Sequence, residues 1–151
     1  MLIAQLNRTD AERIQLVFTN VDGGGSVTTG MGVCLVQTGA SIDGVSGVKS
    51  TLANWGGFIG VSSSDIAING YGLATAWGIA ASVALSNVGT SITVTRGDYL
   101  TASAVAGLFF SSITPQALST QLYRYLFAAT TIPVDISNLA QSYVRAMVRA
   151  V

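Results

Sequence analysis

From residue 12 to about residue 110, short apolar runs alternate with clusters of Gly, Asn, Asp and Ser, with 17 Gly against 2 Pro along the whole chain. Runs of this length and spacing predict a mainly β fold, a small barrel or sandwich, and argue against a helical bundle. The first run, Glu12 to Asn20, reads in two ways. Thr9-x-x-Glu12 has the form of a capping box, with Ile14, Val17 and Phe18 on one helical face. Ile14, Leu16 and Phe18, alternating with Arg13, Gln15 and Val17, have equally the form of a strand. The glycine-rich stretch from Val21 to Ser26 reads as a flexible hairpin loop and favours the strand. Val27 to Thr29 and Met31 to Gln37 follow as strands.

Residues 38 to 57 are broken by Gly39, Gly44, Gly47, Gly56 and Gly57 and read as one long loop. Phe58 to Ser62 resumes β character, and Asn69-Gly70 signals a tight turn. Tyr71 to Leu85 is apolar on both faces, the pattern of an interior or interface strand. Asn87 to Thr90 turns the chain, Ser91 to Thr95 alternates well, and Arg96-Gly97-Asp98 turns it again before Tyr99 and Leu100.

The last third differs. Thr114 suits an N-cap and Pro115 a first helical position, and Leu118, Leu122 and Leu126 lie four apart. A helix is expected from 115 to about 124 or beyond, ended by Ile132-Pro133. The tail from Ser142 to Val151 is open. As a helix it turns Tyr143, Met147 and Ala150 inward with Arg145 and Arg149 outside; as a strand it lines up Val144, Ala146, Val148 and Ala150. The expected organisation is one domain without internal repeats: an N-terminal arm (1–11), a β core (12–113), and a C-terminal helix and closing segment (114–151), with one or two short helices in that last part.

Composition sharpens this picture. The 151 residues are 50% apolar and only 9% charged, with seven basic and seven acidic side chains. A folded monomer of this mass exposes roughly 7,000 Å², which leaves about one charge per 500 Å². So sparse a surface argues for a chain partly covered by other chains. One lysine and six arginines in a neutral chain make no basic stripe, so nucleic acid is not an expected partner. The absence of histidine removes His-based acid–base chemistry and most zinc sites. Cys34, the single cysteine, sits in the apolar run Val33 to Val36 and reads as a small core residue. The apolar stretch Leu73 to Leu85 has 13 residues, short of the ~20 a membrane helix needs, and the start of the chain lacks a basic, apolar leader. A soluble protein made in a cytoplasm is expected, and Asn7-Arg8-Thr9 reads as a chance match to a glycosylation acceptor.

Candidate chemistry is thin. Ser46-Gly47-Val48-Lys49 matches the S-x-x-K of penicillin-recognising enzymes, but its glycine-broken flanks offer no helix to align the two side chains. The acids Asp10, Glu12, Asp22, Asp43, Asp65, Asp98 and Asp135 are scattered next to glycines and at segment ends, where Asp braces turns. Gly30-x-Gly32 lacks the rest of a dinucleotide fingerprint, and no acidic run has calcium-loop spacing. No catalytic, cofactor or metal residue is assigned, and no enzyme activity is expected. The aromatics Trp55, Phe58, Tyr71 and Trp77 concentrate in mid-chain. Their default place is the core, but together with Arg13, Arg145 and Arg149 they are the residue types that carry interface energy, and these seven form the candidate interface.

One region resembles a known family. Phe58-Ile59-Gly60-Val61, Asp65-Ile66-Ala67, Asn69-Gly70-Tyr71-Gly72-Leu73 and Trp77-Gly78 resemble the central β region of tailed-bacteriophage capsid decoration (cement) proteins. The likeness continues through Asn87 to Thr95, Gly97-Asp98 and Leu100, and in Val144 to Ala150, which is similar to a closing strand. Arg13 to Asn20 with Asp22-Gly23 and Gly30 looks like the opening hairpin. Ser62 replaces the usual Ala, and Thr114 to Ile132 is longer and more helical than the family pattern. The resemblance implies a virion structural protein on the outside of a phage head, made in the host bacterial cytoplasm. It implies homo-oligomers, dimers or trimers, that clamp neighbouring copies of the major capsid protein, with no cofactor. The competing expectation is a small β-barrel module that binds a carbohydrate or apolar ligand through Trp55, Tyr71 and Trp77.

Overall fold

The computed structural model describes residues 13–36, 45–86, 92–103, 105–111, 126–130, 132–134 and 142–150, of which 57% lie in strands and 3% in helix. The chain is therefore mainly β. Its described elements are β1 (Ile14–Asn20), β2 (Gly32–Leu35), β3 (Ser46–Lys49), a 3-10 turn (Trp55–Gly57), β4 (Phe58–Ser62), β5 (Tyr71–Leu85), β6 (Ile92–Val94), β7 (Leu100–Ala102), β8 (Phe109–Ser111), β9 (Leu126–Ala128), β10 (Ile132–Val134) and β11 (Ser142–Arg149).

Strands β1, β3, β2, β4 and β5 pair in that order, and β5 pairs back onto β1, closing a five-stranded barrel. Closure leaves these strands no free edge in the ring. Four of the five pairings are antiparallel; β1 and β3 run parallel, with Thr19 opposite Ser46. The barrel interior is small and filled by Phe18, Val27, Val33, Ile66 and Ala74. Glycines make room in it. A Cβ at Gly47 would stand 2.7 Å from Cδ2 of Phe18, and one at Gly72 would run into the Ile66 side chain. Val27 and Ile66 bond each other through both backbone amides (3.0 and 2.7 Å) and bring two loop residues into this interior.

Beyond the barrel, β5 continues. Its first half pairs with β1 and β4, and from Trp77 onward it pairs with β11, which carries β9 on its other edge. Gly78, at φ +100°, lies at this changeover, where a side chain would strain the backbone. Leu85 meets Phe109 of β8, which pairs with β7; β6 and β10 form a separate two-stranded sheet. A larger apolar cluster fills the space between these strands and the outer wall of the barrel. Cys34, Trp55, Phe58 and Val61 from the barrel side meet Ala80, Val83, Val94, Leu100, Phe109, Leu126, Val144, Ala146 and Val148. β2 thus buries both faces, Val33 inward and Cys34 outward.

Several expectations hold. The first run is a strand; the tail, open between helix and strand by its pattern, is also a strand, with Val144, Ala146 and Val148 buried and Tyr143, Arg145 and Arg149 exposed. Tyr71 to Leu85 is one strand of 15 residues. Asn69 takes φ +62° and Gly70 donates to Ala67 O (3.0 Å), the tight turn its dipeptide signalled. Asp98 accepts from Thr95 N (2.7 Å) around the Arg96-Gly97 turn.

Others are corrected. The glycine-broken stretch read as a loop contains β3 and the 3-10 turn, because Gly47 serves Phe18 rather than a turn. Val27 to Thr29 forms a single bridge, not a strand. Val21 to Ser26 is no flexible hairpin loop, since β1 does not pair with β2. Buried Asn20 donates to Gly25 O (3.2 Å) and Ile66 O (3.1 Å), and Asp22 accepts from the backbone of Gly24 (2.7 Å) and Lys49 (2.9 Å). Pro133 does not end a helix; it lies in β10, whose only described partner is β6, and an edge strand tolerates the missing N–H. The helix does not continue through Leu126, because Leu126–Ala128 is β9, paired with β11; its expected part from 115 to 124, the turn at 87–90 and the N-terminal arm lie outside the described residues.

Two predictions follow from this packing. Gly47→Ala overfills the space beside Phe18 and costs about 1–3 kcal/mol; combined with Phe18→Leu it costs less than the two single changes added, as a double-mutant cycle of urea midpoints will show. The second concerns Asp65, which accepts from Thr29 N (2.7 Å) and Thr29 Oγ1 (2.9 Å). These bonds, the backbone one foremost, hold its carboxyl below the ordinary value. A lowered folded pKa gives stability that is complete above the unfolded value of about 3.9 and is lost as pH falls through the folded one. Asp65→Asn therefore flattens the acid limb of the stability curve between about pH 5 and pH 2; an unchanged limb refutes the assignment.

Candidate functional site

β1 and the first half of β5 lie side by side, and their outward residues form one face. Along β5, Tyr71, Leu73 and Thr75 share a side because alternate strand residues do. Each has a cross-strand neighbour on β1: Thr19 opposite Tyr71, Val17 opposite Leu73, Gln15 opposite Thr75. Tyr71 is 78% exposed, Val17 61% and Leu73 41%, so the apolar end of this face is open to solvent. Covering such half-open side chains is worth roughly 1 kcal/mol each.

The middle of the face is polar and ordered. Arg13 Nε and Nη2 donate to Thr75 Oγ1 (3.1 and 2.9 Å), and Nη2 also reaches Ser63 Oγ (3.4 Å). Gln15 Nε2 donates to the same Ser63 Oγ (2.9 Å). Trp77, half-buried, lies on the opposite face: Gln15 meets Thr75 but its neighbour Ile14 meets Trp77, so the extra residue Ala76 makes a bulge that turns Trp77 away from Thr75, with Arg149 opposite it on β11. The Arg149 guanidinium lies over the indole, 5.3 Å from the ring centroid, a cation–π contact. A further row runs outward from β5: Ile79, Met147, Phe127 and Tyr99 are successive cross-strand partners. The Phe127 and Tyr99 rings sit 4.9 Å apart.

The structure sorts the seven sequence candidates. Arg13 and Tyr71 lie on the face of Val17 and Leu73, Trp77 and Arg149 lie together on the opposite face, and Arg145 is exposed farther along β11. Trp55 and Phe58 do not join them. They are 5% and 4% exposed, with ring centroids 4.5 Å apart, and both meet Phe109 edge-on at 5.8 and 6.1 Å. These two are core residues, because β4 is covered by the second layer on its outer side. Val17 and Leu73 belong to the first face and Ile14 to the second, and none of them was singled out. Their signal was present only as outward positions in an amphipathic strand, which cannot be told from core positions until the partner strand is known.

Other candidates dissolve into structure. Ser46 and Lys49 stand three apart on a strand, hence on opposite faces, and Lys49 Nζ donates to Gly24 O (3.2 Å). Burial pushes the Cys34 thiol up to about 12, against a smaller opposing effect of a backbone hydrogen bond with Thr51. Among the described residues no three of His, Cys, Asp and Glu converge on one point, and no helix is long and apolar enough to cross a membrane. No protein-family model and no curated protein matches the chain.

Tyr71→Ser leaves stability within about 0.5 kcal/mol of the parent, whereas Trp55→Ala loses about 3–5 kcal/mol. Chemical denaturation of the two variants thus separates contact surface from core.

Proposed function

We propose that this chain is a virion structural protein, a capsid decoration protein that sits on the outside of a phage head and clamps neighbouring major capsid subunits. The observation that carries the reading is the open face of β1 and β5, where Tyr71, Val17 and Leu73 remain exposed beside the ordered Arg13 on a rigid, closed barrel. Such a face suits a protein that grips another chain, because large complementary surface and stiffness are what a clamp requires. The resemblance in Phe58 to Gly78 and Val144 to Ala150 supplies the kind of partner. Self-association into dimers or trimers belongs to the same reading. Exposed Leu52 and Val105 lie on two loops tied by the Gly107 N to Ser50 O bond (2.7 Å), away from β1, β5 and β11, and offer apolar surface for it.

The ligand-module alternative draws less support. It relies on Trp55, which is buried, and Tyr71 and Trp77 stand six residues apart on one strand, about 20 Å, too far to hold one small ring between them. The test is made on purified particles of the phage that encodes the chain. The protein is expected at a fixed ratio to the major capsid protein, and particles stripped of it are expected to rupture at lower temperature and to regain resistance when it is added back. Its absence from particles overturns the proposal.

A further inference from the structure

We infer that the outward face of β11, flanked by β5 and β9, docks a different protein chain that presents an apolar strip between two carboxylates. This face is distinct from the one the decoration reading uses. Tyr71, Val17 and Leu73 lie on the other side of the sheet, so the partner proposed for β11 stands or falls apart from that reading.

Along β11, Val144, Ala146 and Val148 are buried, Arg145 and Arg149 are exposed, and Met147 is half-buried between the two arginines. The irregularity in its pairing falls on β5, where Val83 meets Val144 and Ala80 meets Ala146, so β11 itself keeps its alternation. Arg145, Met147 and Arg149 therefore share one side of one strand, with the arginines about 13 Å apart. On β5, Trp77 stands beside Arg149 and Ile79 beside Met147; on β9, Phe127 stands beside Met147. Tyr99 bridges to Phe127 in turn. Ile79, Met147, Phe127 and Tyr99 thus make an apolar row across the strands, with one arginine on each side of it.

Among the described residues no carboxylate pairs with Arg145 or Arg149, and no described strand contains an Asp or Glu. Asp98, which precedes Tyr99 at the end of the row, accepts from Thr95 N within its own turn. Arg149 is held by the Trp77 ring, 5.3 Å from its centroid. A guanidinium stacked on a ring keeps its five in-plane N–H donors, and two of them match one carboxylate. Such a fork is oriented before a partner arrives, which lowers the ordering cost of binding. A second copy of this chain fits poorly, because a two-fold contact sets the same arginines against one another as apolar surface closes over them. An extended segment with carboxylates four residues apart and an apolar residue midway meets the opposite condition.

The test uses the intact protein and labelled poly(Glu,Tyr), poly(Glu) and poly(Lys,Tyr), followed by fluorescence anisotropy, with single-stranded oligothymidine as a fourth probe. Poly(Glu,Tyr) is expected to bind about tenfold tighter than poly(Glu), since only the first supplies apolar contact, and to outbind poly(Lys,Tyr). Arg145→Glu and Arg149→Glu are expected to weaken it about tenfold each, with Arg149→Lys retaining part of the affinity. Arg13→Glu, the same charge change on the other side of the sheet, is expected to retain nearly all of it. Ile79→Thr is expected to weaken it about threefold. Thermal melts that match the parent show that the exposed arginine variants remain folded. An equal loss in Arg13→Glu means that only net charge is read, and overturns the inference. So does poly(Glu) binding as tightly as poly(Glu,Tyr), no binding of poly(Glu,Tyr), or tighter binding of poly(Lys,Tyr) or oligothymidine. A dimer of the parent that Ile79→Thr fails to form overturns it too, by assigning the face to a second copy.

Discussion

Everything in this fold depends on β5 serving two sheets at once. Its first half must pair on both edges, with β1 and with β4, or the barrel does not close; its second half must pair with β11, or the outer layer has nothing to attach to. A strand paired on both edges and packed on both faces has little room for side chains. That explains why Ala74, Ala76, Ala80 and Ala84 line its buried length. It explains Gly60 too. At φ +151° on the neighbouring β4, this residue lies where any Cβ would collide with the carbonyl of Thr75. The two apolar clusters are therefore coupled through one strand. The barrel interior touches β5 at Ala74, and the outer cluster begins on it at Ala80.

What could be read from residue order follows the same logic. Turns whose chemistry is local were legible: Asn69-Gly70 needs only an Asn that tolerates positive φ, and Arg96-Gly97-Asp98 only a carboxylate that reaches back to Thr95. The tail became a strand because a partner was available on β5, although its residues suit a helix equally well. β3 was hidden for the opposite reason. Gly47 looks like a breaker in one dimension and is a recess for Phe18 in three. Aromatic residues carry no mark of their destination. Trp55 and Phe58 were buried by strands far along the chain, while Tyr71 was left open, and nothing in their immediate neighbours distinguishes them.

The low charge of the chain acquires a different meaning from its distribution. Counted along the sequence, seven acids and seven bases suggest an evenly neutral surface. In the fold, the described acids serve as internal braces: Asp22 holds Gly24 and Lys49, Asp65 holds Thr29, and Asp98 holds Thr95. An acid committed to backbone N–H groups presents less free charge outward, because part of its hydrogen-bonding capacity is already used. Among the described residues, Arg13 is held by the Thr75 and Ser63 hydroxyls and Arg149 by the Trp77 ring, with no opposite charge on either. A chain neutral by count is thus polarised in what its strands present.

That polarity ties the fold to its use. A closed barrel has no strand edge left to recruit a partner by backbone pairing, so recognition through its wall has to be made by side chains on outward strand positions. On β1 and β5 those positions are few and widely spaced, since the pleat gives one outward residue in two. Each must then carry both contact area and specificity, which favours large amphipathic groups. Tyr71 and Arg13 are such groups on one face and Trp77 and Arg149 on the other, and the rigid ladder between them sets their spacing without any loop having to order on contact. The constraint that forced small residues into the interior of β5 therefore also sets the large ones on its outer side.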